Sequence, residues 1–271
     1  MNILLDPDAR PVIGHRGNRA YAPENTIESF AQAVAAGADA IEFDVRVSAD
    51  GIPVVHHDPT LMRTTDGHGE IARMNFSELR KLDAGANFTR DAGRTFPYRG
   101  KGHRIPKLDE VIEAFPTTPL LIEIKTALAS VAVKNTIERH NVQARTLVDS
   151  FAGNALDVFH GSDIPYGSAP ADVARLMKEV LLHSRITPFD FKALCIPLSY
   201  RGLPLPVKRF ARVLPAHNCR VHVWTVNSPA VALDLWRAGV NGIISDDPAL
   251  MLKTRMRLPA VIERAALPEP S

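Results

Sequence analysis

Cysteine is scarce in this chain, which has only two cysteines among 271 residues, Cys195 and Cys219. The two lie far apart in the sequence and lack the short spacing of metal-binding cysteines. We therefore interpret both as reduced thiols in a reducing compartment, and the sequence offers no cysteine-based metal site.

Long apolar runs and an excess of one charge are also absent. No stretch of about 18 uninterrupted apolar residues occurs, so the sequence predicts no membrane-spanning segment. The 32 basic and 30 acidic residues leave a net charge of +2, which gives no electrostatic case for nucleic-acid binding. The first residues show no basic region followed by a long apolar core, so we expect no signal peptide and a cytoplasmic location.

Strand-like and helix-like patterns alternate along most of the chain. The candidate strands are Pro11–His15, Ala40–Val45, Pro119–Ile124, Thr146–Ser150, Ile164–Ser168, Ala193–Pro197, Val221–Thr225 and Gly242–Ser245. The candidate helices are Asn25–Ala36, Leu108–Phe115, Ser130–His140, Ala171–His183, Val207–His217, Pro229–Ala238 and Pro248–Arg257, with a shorter one at Asn154–His160 and a tail, Pro268–Ser271, that we expect to fray. At this length the alternation predicts an α/β fold, a (β/α)8 TIM barrel made by a single domain over residues 1–271. A doubly wound open sheet is the alternative.

One segment, residues 59–106, interrupts the alternation. It carries only a weak helical pattern, around Phe76–Leu82. A segment this long inside a compact domain usually has a function or a small structure of its own. We predict an insertion above the barrel mouth, after the second strand and its hairpin.

Charged residues lie in or beside the apolar runs. They are Gly14-His15-Arg16-Gly17, Glu42-x-Asp44, His57-Asp58 and Glu123-x-Lys125. Burying several like charges is costly unless a cation or a charged ligand offsets them, so the set indicates a site. Side chains alternate along a strand, which places Glu42 and Asp44 on one face, and likewise Glu123 and Lys125. In a barrel these faces point inward, near the mouth that carries catalytic residues.

A hairpin brings a histidine to the same place. Asp50-Gly51 is a two-residue hairpin signal, and a turn centred there pairs Asp44 with His57. His57 should then return to the mouth beside Asp44. A shift of one residue would bring His56 there instead.

In order and spacing, these motifs resemble the glycerophosphodiester phosphodiesterase family. The matching segments are His15-Arg16-Gly17, Pro23-Glu24-Asn25-Thr26, Glu42-x-Asp44, His57-Asp58, Leu61-x-Arg63-Thr64-Thr65, Ile105-Pro106-x-Leu108, Glu123-x-Lys125, Trp224-Thr225-Val226-Asn227 and Gly242-Ile243-Ile244-Ser245-Asp246. The resemblance covers essentially residues 11–250. It implies a TIM barrel with an inserted segment, in agreement with the strand pattern.

The resemblance also implies a metal site made by Glu42, Asp44 and Glu123. Ligation by oxygen alone suits Mg2+ or Ca2+ better than Zn2+. The alternative is a structural salt-bridge network, for instance Glu123 with Lys125 or Arg16.

The remaining roles follow from the chemistry of a phosphodiester. Its nucleophile must lose a proton and its departing alkoxide must gain one, and His15 and His57 are the expected acid–base pair, with the two roles unassigned. Arg16 and Lys125 are the expected phosphate clamps. The resemblance implies that Trp224 lines the substrate pocket near the glycerol moiety.

Several neighbouring residues receive a plainer interpretation. We interpret Glu24 and Asn25 mainly as helix-start residues, with a direct catalytic role as the alternative. We expect His56 to face away from the site and His222 to be packed in the core.

The predicted activity is metal-dependent hydrolysis of glycerophosphodiesters to sn-glycerol 3-phosphate and an alcohol. The attacking group is either the substrate's own glycerol hydroxyl, through a cyclic phosphate, or water. The alternatives are a lysophospholipase D-like or phosphatidylinositol-cleaving phosphodiesterase of the same superfamily and, less favoured, a non-catalytic binding barrel. The apolar and basic stretch Ile196–Leu214 suits a lysophospholipid chain or peripheral contact with an anionic membrane, although ordinary loop packing is favoured. The oligomeric state stays open.

Overall fold

The computed structural model describes residues 2–258, which form a barrel of parallel strands. The strands are β1 (Val12–His15), β2 (Ala40–Val47), β3 (Pro53–Val55), β4 (Leu120–Ile124), β5 (Thr146–Asp149), β6 (Ala193–Pro197), β7 (Ser199–Tyr200), β8 (Leu203–Pro204), β9 (Arg220–Trp224) and β10 (Gly242–Ser245). The helices are α1 (Ile27–Ala35), α2 (Phe76–Leu79), α3 (Leu108–Ala114), α4 (Ser130–Arg139), α5 (Pro170–Leu181), α6 (Val207–Val213), α7 (Pro229–Arg237) and α8 (Pro248–Arg255). The predicted tail Pro268–Ser271 lies outside the described residues.

Hydrogen bonds run round the barrel in the order β5, β4, β2, β1, β10, β9 and β6. Parallel bridges from Val148 to Tyr166 and from Gly167 to Ala193 close the remaining gap between β5 and β6. Of the predicted strand Ile164–Ser168, two residues, Tyr166 and Gly167, form these bridges. The predicted (β/α)8 barrel is confirmed.

Because side chains alternate along each strand, the apolar residues form two layers, one outside the barrel and one inside it. Outward-facing Ile41 and Phe43 pack beneath the helices, and the Phe43 ring lies 5.5 Å from that of Phe30 in α1. A smaller inner layer, including Ile13, Leu121 and Leu147, fills the barrel interior against Leu4. The barrel is therefore closed below, and only its upper end is free to hold a site.

One histidine, His222, lies at the closed base of the barrel. His222 is fully buried, and its Nε2 lies 2.8 Å from the carbonyl oxygen of Leu4. It is a packed core residue, as expected. Burial lowers its pKa to about 4, so it is neutral at physiological pH.

The hairpin between β2 and β3 corrects the predicted register. Val45 lies opposite Val55 and Val47 lies opposite Pro53, so the predicted pairing of Asp44 with His57 is wrong by one residue. The loop has three residues rather than two, because Ser48 N–H donates to the Ile52 carbonyl at 3.0 Å. Gly51 takes the left-handed conformation, with φ 78°, that a three-residue loop of this kind requires.

The shifted register still brings His57 to the mouth. The backbone N–H of His56 bonds the Asp44 carbonyl at 2.9 Å, and strand pairing ends there. His56 turns away and its Nε2 lies 3.0 Å from Thr64 Oγ1. The chain then bends, and His57 lines the central pocket with Glu42.

Residues 59–106 have a small core of their own. Leu61, Ile71, Leu79 and Ile105 pack together and against Val54 of β3. The predicted helix Phe76–Leu82 begins where expected but ends at Leu79. Residues of this segment, including Arg63, Asn87 and Phe88, border a cleft with Glu24 and Asp246 beside the central pocket.

The other predicted helices lie close to the observed ones, with two exceptions. Asn154–His160 forms only a 3-10 turn at Asp157–Phe159. Val207–His217 divides after Val213, where a 3-10 turn containing Pro215 takes over. Among residues 2–258, no helix has the length and apolar character needed to span a membrane.

Candidate active site

Three carboxylates converge at the upper end of β2 and β4. Asp44 lies opposite Glu123 in the parallel register, and Glu42 shares the inward face of β2 with Asp44. One oxygen from each of the three lies within 4.8 Å of the others. Glu42 and Asp44 are buried.

Two cations reach this cluster. Arg16 Nε lies 3.0 Å from Asp44 Oδ2, and Lys125 Nζ lies 2.6 Å from Glu123 Oε1 and 3.2 Å from Asp44 Oδ1. The ion pair of Lys125 with Glu123, which the salt-bridge alternative named, is therefore present. Arg16 pairs with Asp44 rather than Glu123.

The two cations do not balance the cluster, because Arg16 is shared with a fourth carboxylate. Burial, reinforced by the charge of Asp44, raises the pKa of Glu42 well above its ordinary value. Burial also raises the pKa of Glu123. Burial opposes ionisation of Asp44 as well, but Arg16 and Lys125 outweigh it and lower that pKa. A further positive charge among the three carboxylates would favour their ionised forms.

A tight turn after β1 places the Arg16 side chain beside the carboxylates. Arg16 and Gly17 both have positive φ, 52° and 89°. The backbone N–H of Arg16 donates to Glu42 Oε2 at 2.9 Å. A Cβ on Gly17 would lie 2.5 Å from the carbonyl carbon of Ser29, so only glycine fits the approach of this turn to α1.

His15, the last residue of β1, is held by an aspartate. Its Nδ1 lies 2.6 Å from Asp246 Oδ1, and Asp246 Oδ2 accepts a hydrogen bond from Asn227 Nδ2 at 2.8 Å. Burial lowers the pKa of His15, although the bond to Asp246 opposes the shift. With Nδ1 engaged, Nε2 is the nitrogen left for a ligand.

His57 has the same arrangement on the other side of the pocket. Its Nδ1 lies 2.5 Å from Asp58 Oδ1, and Asp58 Oδ2 accepts from Arg63 Nε at 2.6 Å. His57 is less buried than His15, with 31% of its side chain exposed. Burial still lowers its pKa, against the charge of Asp44.

Glu24 is the common partner of three arginines. Its carboxylate lies 2.7 Å from Arg16 Nη1, 3.0 Å from Arg19 Nε and 2.6 Å from Arg63 Nη2. Although burial opposes ionisation, Arg63 and Arg16 hold the pKa of Glu24 far below its ordinary value. Glu24 therefore ties the turn after β1 to the inserted segment.

The helix-start interpretation of Glu24 and Asn25 is wrong. Thr26 is the N-cap of α1, and its side chain accepts a hydrogen bond from Ser29 N–H at 3.2 Å. Asn25 instead serves the carboxylate cluster, since its Nδ2 donates to Asp44 Oδ2 at 2.8 Å. Both residues support the site directly.

The predicted site residues surround a single pocket of about 240 Å³. Those that line it are His15, Arg16, Glu42, His57, Glu123, Lys125 and Trp224, and Asp44 is buried beside them. One wall is aromatic, because the rings of Phe151 and Trp224 meet edge to face with centroids 5.6 Å apart. Trp224 is fixed in place by a bond from its Nε1 to the Cys195 carbonyl, 3.1 Å away.

Sequence reasoning missed three residues that contribute to this pocket. Asp246 stood inside a quoted motif without a role, and Phe151 was not singled out. Asp149 is fully buried against the pocket, and burial raises its pKa well above the ordinary value. Strand parity offered a signal for Asp149, because it shares the inward face of β5 with Leu147.

This chain is similar to known proteins in sequence and in structure. Residues 15–250 match the Glycerophosphoryl diester phosphodiesterase family. A glycerophosphodiester phosphodiesterase of Caldanaerobacter subterraneus subsp. tengcongensis is 31% identical over 249 residues, which cover 89% of this chain and 96% of the relative. One from Bacillus subtilis is 28% identical and covers 93% of this chain and 88% of its own length.

Solved structures show the same likeness. An Oleispira antarctica phosphodiesterase in complex with the product sn-glycerol-3-phosphate has a TM-score of 0.72 at 28% identity, covering 91% of this chain and 96% of its own. A glycerophosphodiester phosphodiesterase from Thermotoga maritima has a TM-score of 0.67 at 29% identity, covering 89% and 96%.

Replacing Glu24 by Gln should destabilise the fold at neutral pH, because it removes the buried anion that buried Arg16 shares with the more exposed Arg19 and Arg63. We expect a loss on the order of 3 kcal/mol in the free energy of unfolding at pH 7. The surface change Glu70→Gln, which breaks only an exposed pair with Arg73, should cost less than about 1 kcal/mol.

The difference in the free energy of unfolding between wild type and Glu24→Gln should depend on pH. The pKa of Glu24 is lowered in the folded state, so its contribution is fully present above the unfolded value of about 4.3 and declines as the pH falls below it. Urea unfolding of wild type and Glu24→Gln should therefore differ most at neutral pH and converge in acid. A difference independent of pH would contradict the ion-pair explanation.

Proposed function

Because the chain belongs to the glycerophosphoryl diester phosphodiesterase family and is a phosphoric diester hydrolase, we propose that it cleaves glycerophosphodiesters to sn-glycerol 3-phosphate and an alcohol such as choline. The observation that carries the proposal is the pair of carboxylate-held histidines, His15 and His57, in one pocket with Arg16 and Lys125. The product found in the Oleispira antarctica relative is the one expected here.

Arg16 and Lys125 bind the phosphate in this proposal. Both side chains line the pocket while their charges contact the carboxylate cluster. Negative charge develops on the non-bridging phosphoryl oxygens in the transition state, and cations already fixed in position stabilise it without reorganisation.

His15 and His57 move the protons. Asp246 and Asp58 each accept the Nδ1 proton of their histidine, which fixes the tautomer and presents Nε2 to the substrate. One imidazole accepts the proton of the attacking hydroxyl or water in its neutral form, which burial favours in both histidines by lowering their pKa. The other must carry a proton, which its aspartate partner favours against that shift, and donates it to the departing alkoxide.

We further propose that Glu42, Asp44 and Glu123 hold one divalent cation. Three carboxylate oxygens within 4.8 Å of one another suit the 2.0–2.6 Å bonds of Mg2+ or Ca2+. The unbalanced negative charge of the cluster supports the same assignment. When bound, such a cation supplies Lewis-acid stabilisation of the phosphoryl oxygens.

Trp224, packed against Phe151, forms an apolar surface for the glycerol carbons.

The direct test of the activity is the identity of the products. The purified enzyme, supplied with Mg2+ or Ca2+, should convert glycerophosphocholine to sn-glycerol 3-phosphate and choline, followed by phosphorus NMR and a coupled assay for the phosphate ester. Formation of phosphocholine and glycerol would contradict the assignment of the bond that breaks. No turnover of any glycerophosphodiester would contradict the activity itself.

Removal of either histidine should slow the reaction without unfolding the protein. We expect His15→Ala and His57→Ala each to lower kcat by about 100- to 10,000-fold, the range of a general acid or base. Asp246→Asn should lower kcat at least about 10-fold with little change in KM, because the His15 tautomer is no longer fixed.

His68→Ala is the matched control, since His68 is exposed and lies in the inserted segment. It should retain wild-type turnover. Near-normal kcat in His15→Ala or His57→Ala, at matched thermal stability, would refute the acid–base assignment.

Metal binding should be measurable apart from activity. Calorimetric titration of EDTA-treated protein with Mg2+ or Ca2+ should reveal one site, and Glu123→Gln should weaken binding at least about 10-fold. Glu138→Gln removes an exposed carboxylate on α4 and should leave the affinity unchanged. Absence of binding, or equal affinity in Glu123→Gln, would leave the cluster as a structural ion-pair network.

A further inference from the structure

One buried carboxyl group in the central pocket lacks a partner. Asp149, the last residue of β5, lines this pocket and is only 3% exposed. Among residues 2–258, no group forms a hydrogen bond with its Oδ1. Lys125, the nearby cation of β4, pairs with Glu123 and Asp44 instead. A buried polar group without a partner costs free energy of folding, so its retention at this position calls for a ligand.

The parallel register places Asp149 at one end of a row of carboxyl groups. Asp44 lies opposite Glu123, and Glu123 lies opposite Asp149, on three neighbouring strands. Neighbouring strands lie about 4.8 Å apart, which puts Asp149 roughly 10 Å from Asp44 along the row. Within the part of the chain that the structure describes, the group of carboxylates close enough to share a metal ion contains Glu42, Asp44 and Glu123 but not Asp149. Asp149 therefore lies beside the proposed cation site rather than in it.

The surroundings of Asp149 are mostly apolar. Phe151, two residues further along the chain, forms the aromatic wall of the pocket with Trp224. Cys195 and Leu121 also line the pocket. A Cβ on Gly167 would lie 2.2 Å from Asp149 Oδ1, so glycine leaves the space that this carboxyl group occupies. The pocket thus combines an apolar wall with one unpaired hydrogen-bonding group.

Glycerol is the part of the substrate that matches this combination. The phosphate group is anionic and would be repelled by a carboxylate, and the head group differs from one glycerophosphodiester to another. The glycerol hydroxyls are present in every such substrate, on the carbons that the aromatic wall would contact. A carboxyl oxygen accepts a hydrogen bond from a hydroxyl group whether or not the acid is ionised.

We propose that Asp149 is a specificity-determining residue whose carboxyl group binds a hydroxyl of the substrate glycerol, so that the enzyme discriminates against phosphodiesters of simple alcohols. This inference rests on the proposed function, in which Trp224 and Phe151 contact the glycerol carbons. A ligand without the hydroxyl leaves the buried carboxyl group unpaired, which is the basis of the discrimination.

The test compares the binding of product analogues and therefore needs no turnover. Calorimetric titration of the full chain in the presence of Mg2+ should show that sn-glycerol 3-phosphate binds about 10- to 100-fold more tightly than propyl phosphate, which lacks both hydroxyls. Equal affinities in wild type would overturn the inference and leave the proposed function standing.

The variant Asp149→Leu keeps the shape of the side chain and removes its hydrogen-bonding oxygens. The preference for sn-glycerol 3-phosphate over propyl phosphate should fall by about 10-fold in this variant, whereas the affinity for propyl phosphate should change by less than about 3-fold. Asp157→Leu, which removes an exposed carboxylate from the 3-10 turn after β5, is the matched control and should keep the wild-type preference. An unchanged preference in Asp149→Leu would overturn the assignment.

Two analogues that each lack one hydroxyl identify the group that Asp149 binds. They are propane-1,2-diol 1-phosphate, without the terminal hydroxyl, and 3-hydroxypropyl phosphate, without the central one. One of them should bind wild type more weakly than sn-glycerol 3-phosphate, and this difference should disappear in Asp149→Leu. Differences of the same size in wild type and Asp149→Leu for both analogues would overturn the inference.

Stability and metal affinity separate this role from two others. Because Asp149 is unpaired, Asp149→Leu should melt at the wild-type temperature or above it. A lower melting temperature with an unchanged ligand preference would identify a structural carboxyl group and overturn the inference. The Mg2+ affinity should stay at the wild-type value, and a fall as large as that in Glu123→Gln would make Asp149 a metal ligand instead.

The outcome for the proposed function is read separately, from turnover of glycerophosphocholine. If no glycerophosphodiester is hydrolysed, the proposed function is overturned. The inference about Asp149 is overturned with it if sn-glycerol 3-phosphate also binds no more tightly than propyl phosphate.

Discussion

The site depends on an imbalance of buried charge at the mouth of the barrel. Glu42, Asp44 and Glu123 are brought together by the register of two parallel strands, and that register is set by the apolar residues that alternate with them. Among residues 2–258, Arg16 and Lys125 are the only cationic side chains paired with the cluster, so the fold holds like charges close without fully neutralising them. Such an arrangement is unfavourable for an ordinary core and suited to a cation and a phosphate.

The surrounding polar residues hold this cluster of like charges in one geometry. Glu24 gathers three arginines, including Arg16, and Asn25 bonds Asp44. His15 and His57 are each held at Nδ1 by an aspartate, which leaves the same nitrogen, Nε2, of both imidazoles for a ligand. Arg63 contacts both Glu24 and Asp58, and the inserted segment thus supports the site from one side of the mouth.

The barrel and most of the site could be predicted from local pattern, because a parallel barrel imposes a simple rule. Side chains alternate along each strand, so Glu42, Asp44, Glu123 and Lys125 had to share the interior. The predicted hairpin register was wrong, because Gly51 accommodates a three-residue loop as readily as a two-residue turn. The role of Glu24 could not be inferred, because it depends on Arg63, a residue 39 positions away along the chain. Only the tertiary fold brings such partners into contact.

The central claim is that the carboxylate cluster is completed by a divalent cation. The most direct measurement is an anomalous difference map from crystals grown with Mn2+, which stands in for Mg2+ or Ca2+ and scatters X-rays anomalously. The account predicts one strong peak within bonding distance of carboxylate oxygens from Glu42, Asp44 and Glu123. A map without a peak there, with Arg16 and Lys125 still closing the cluster at high Mn2+, would contradict it.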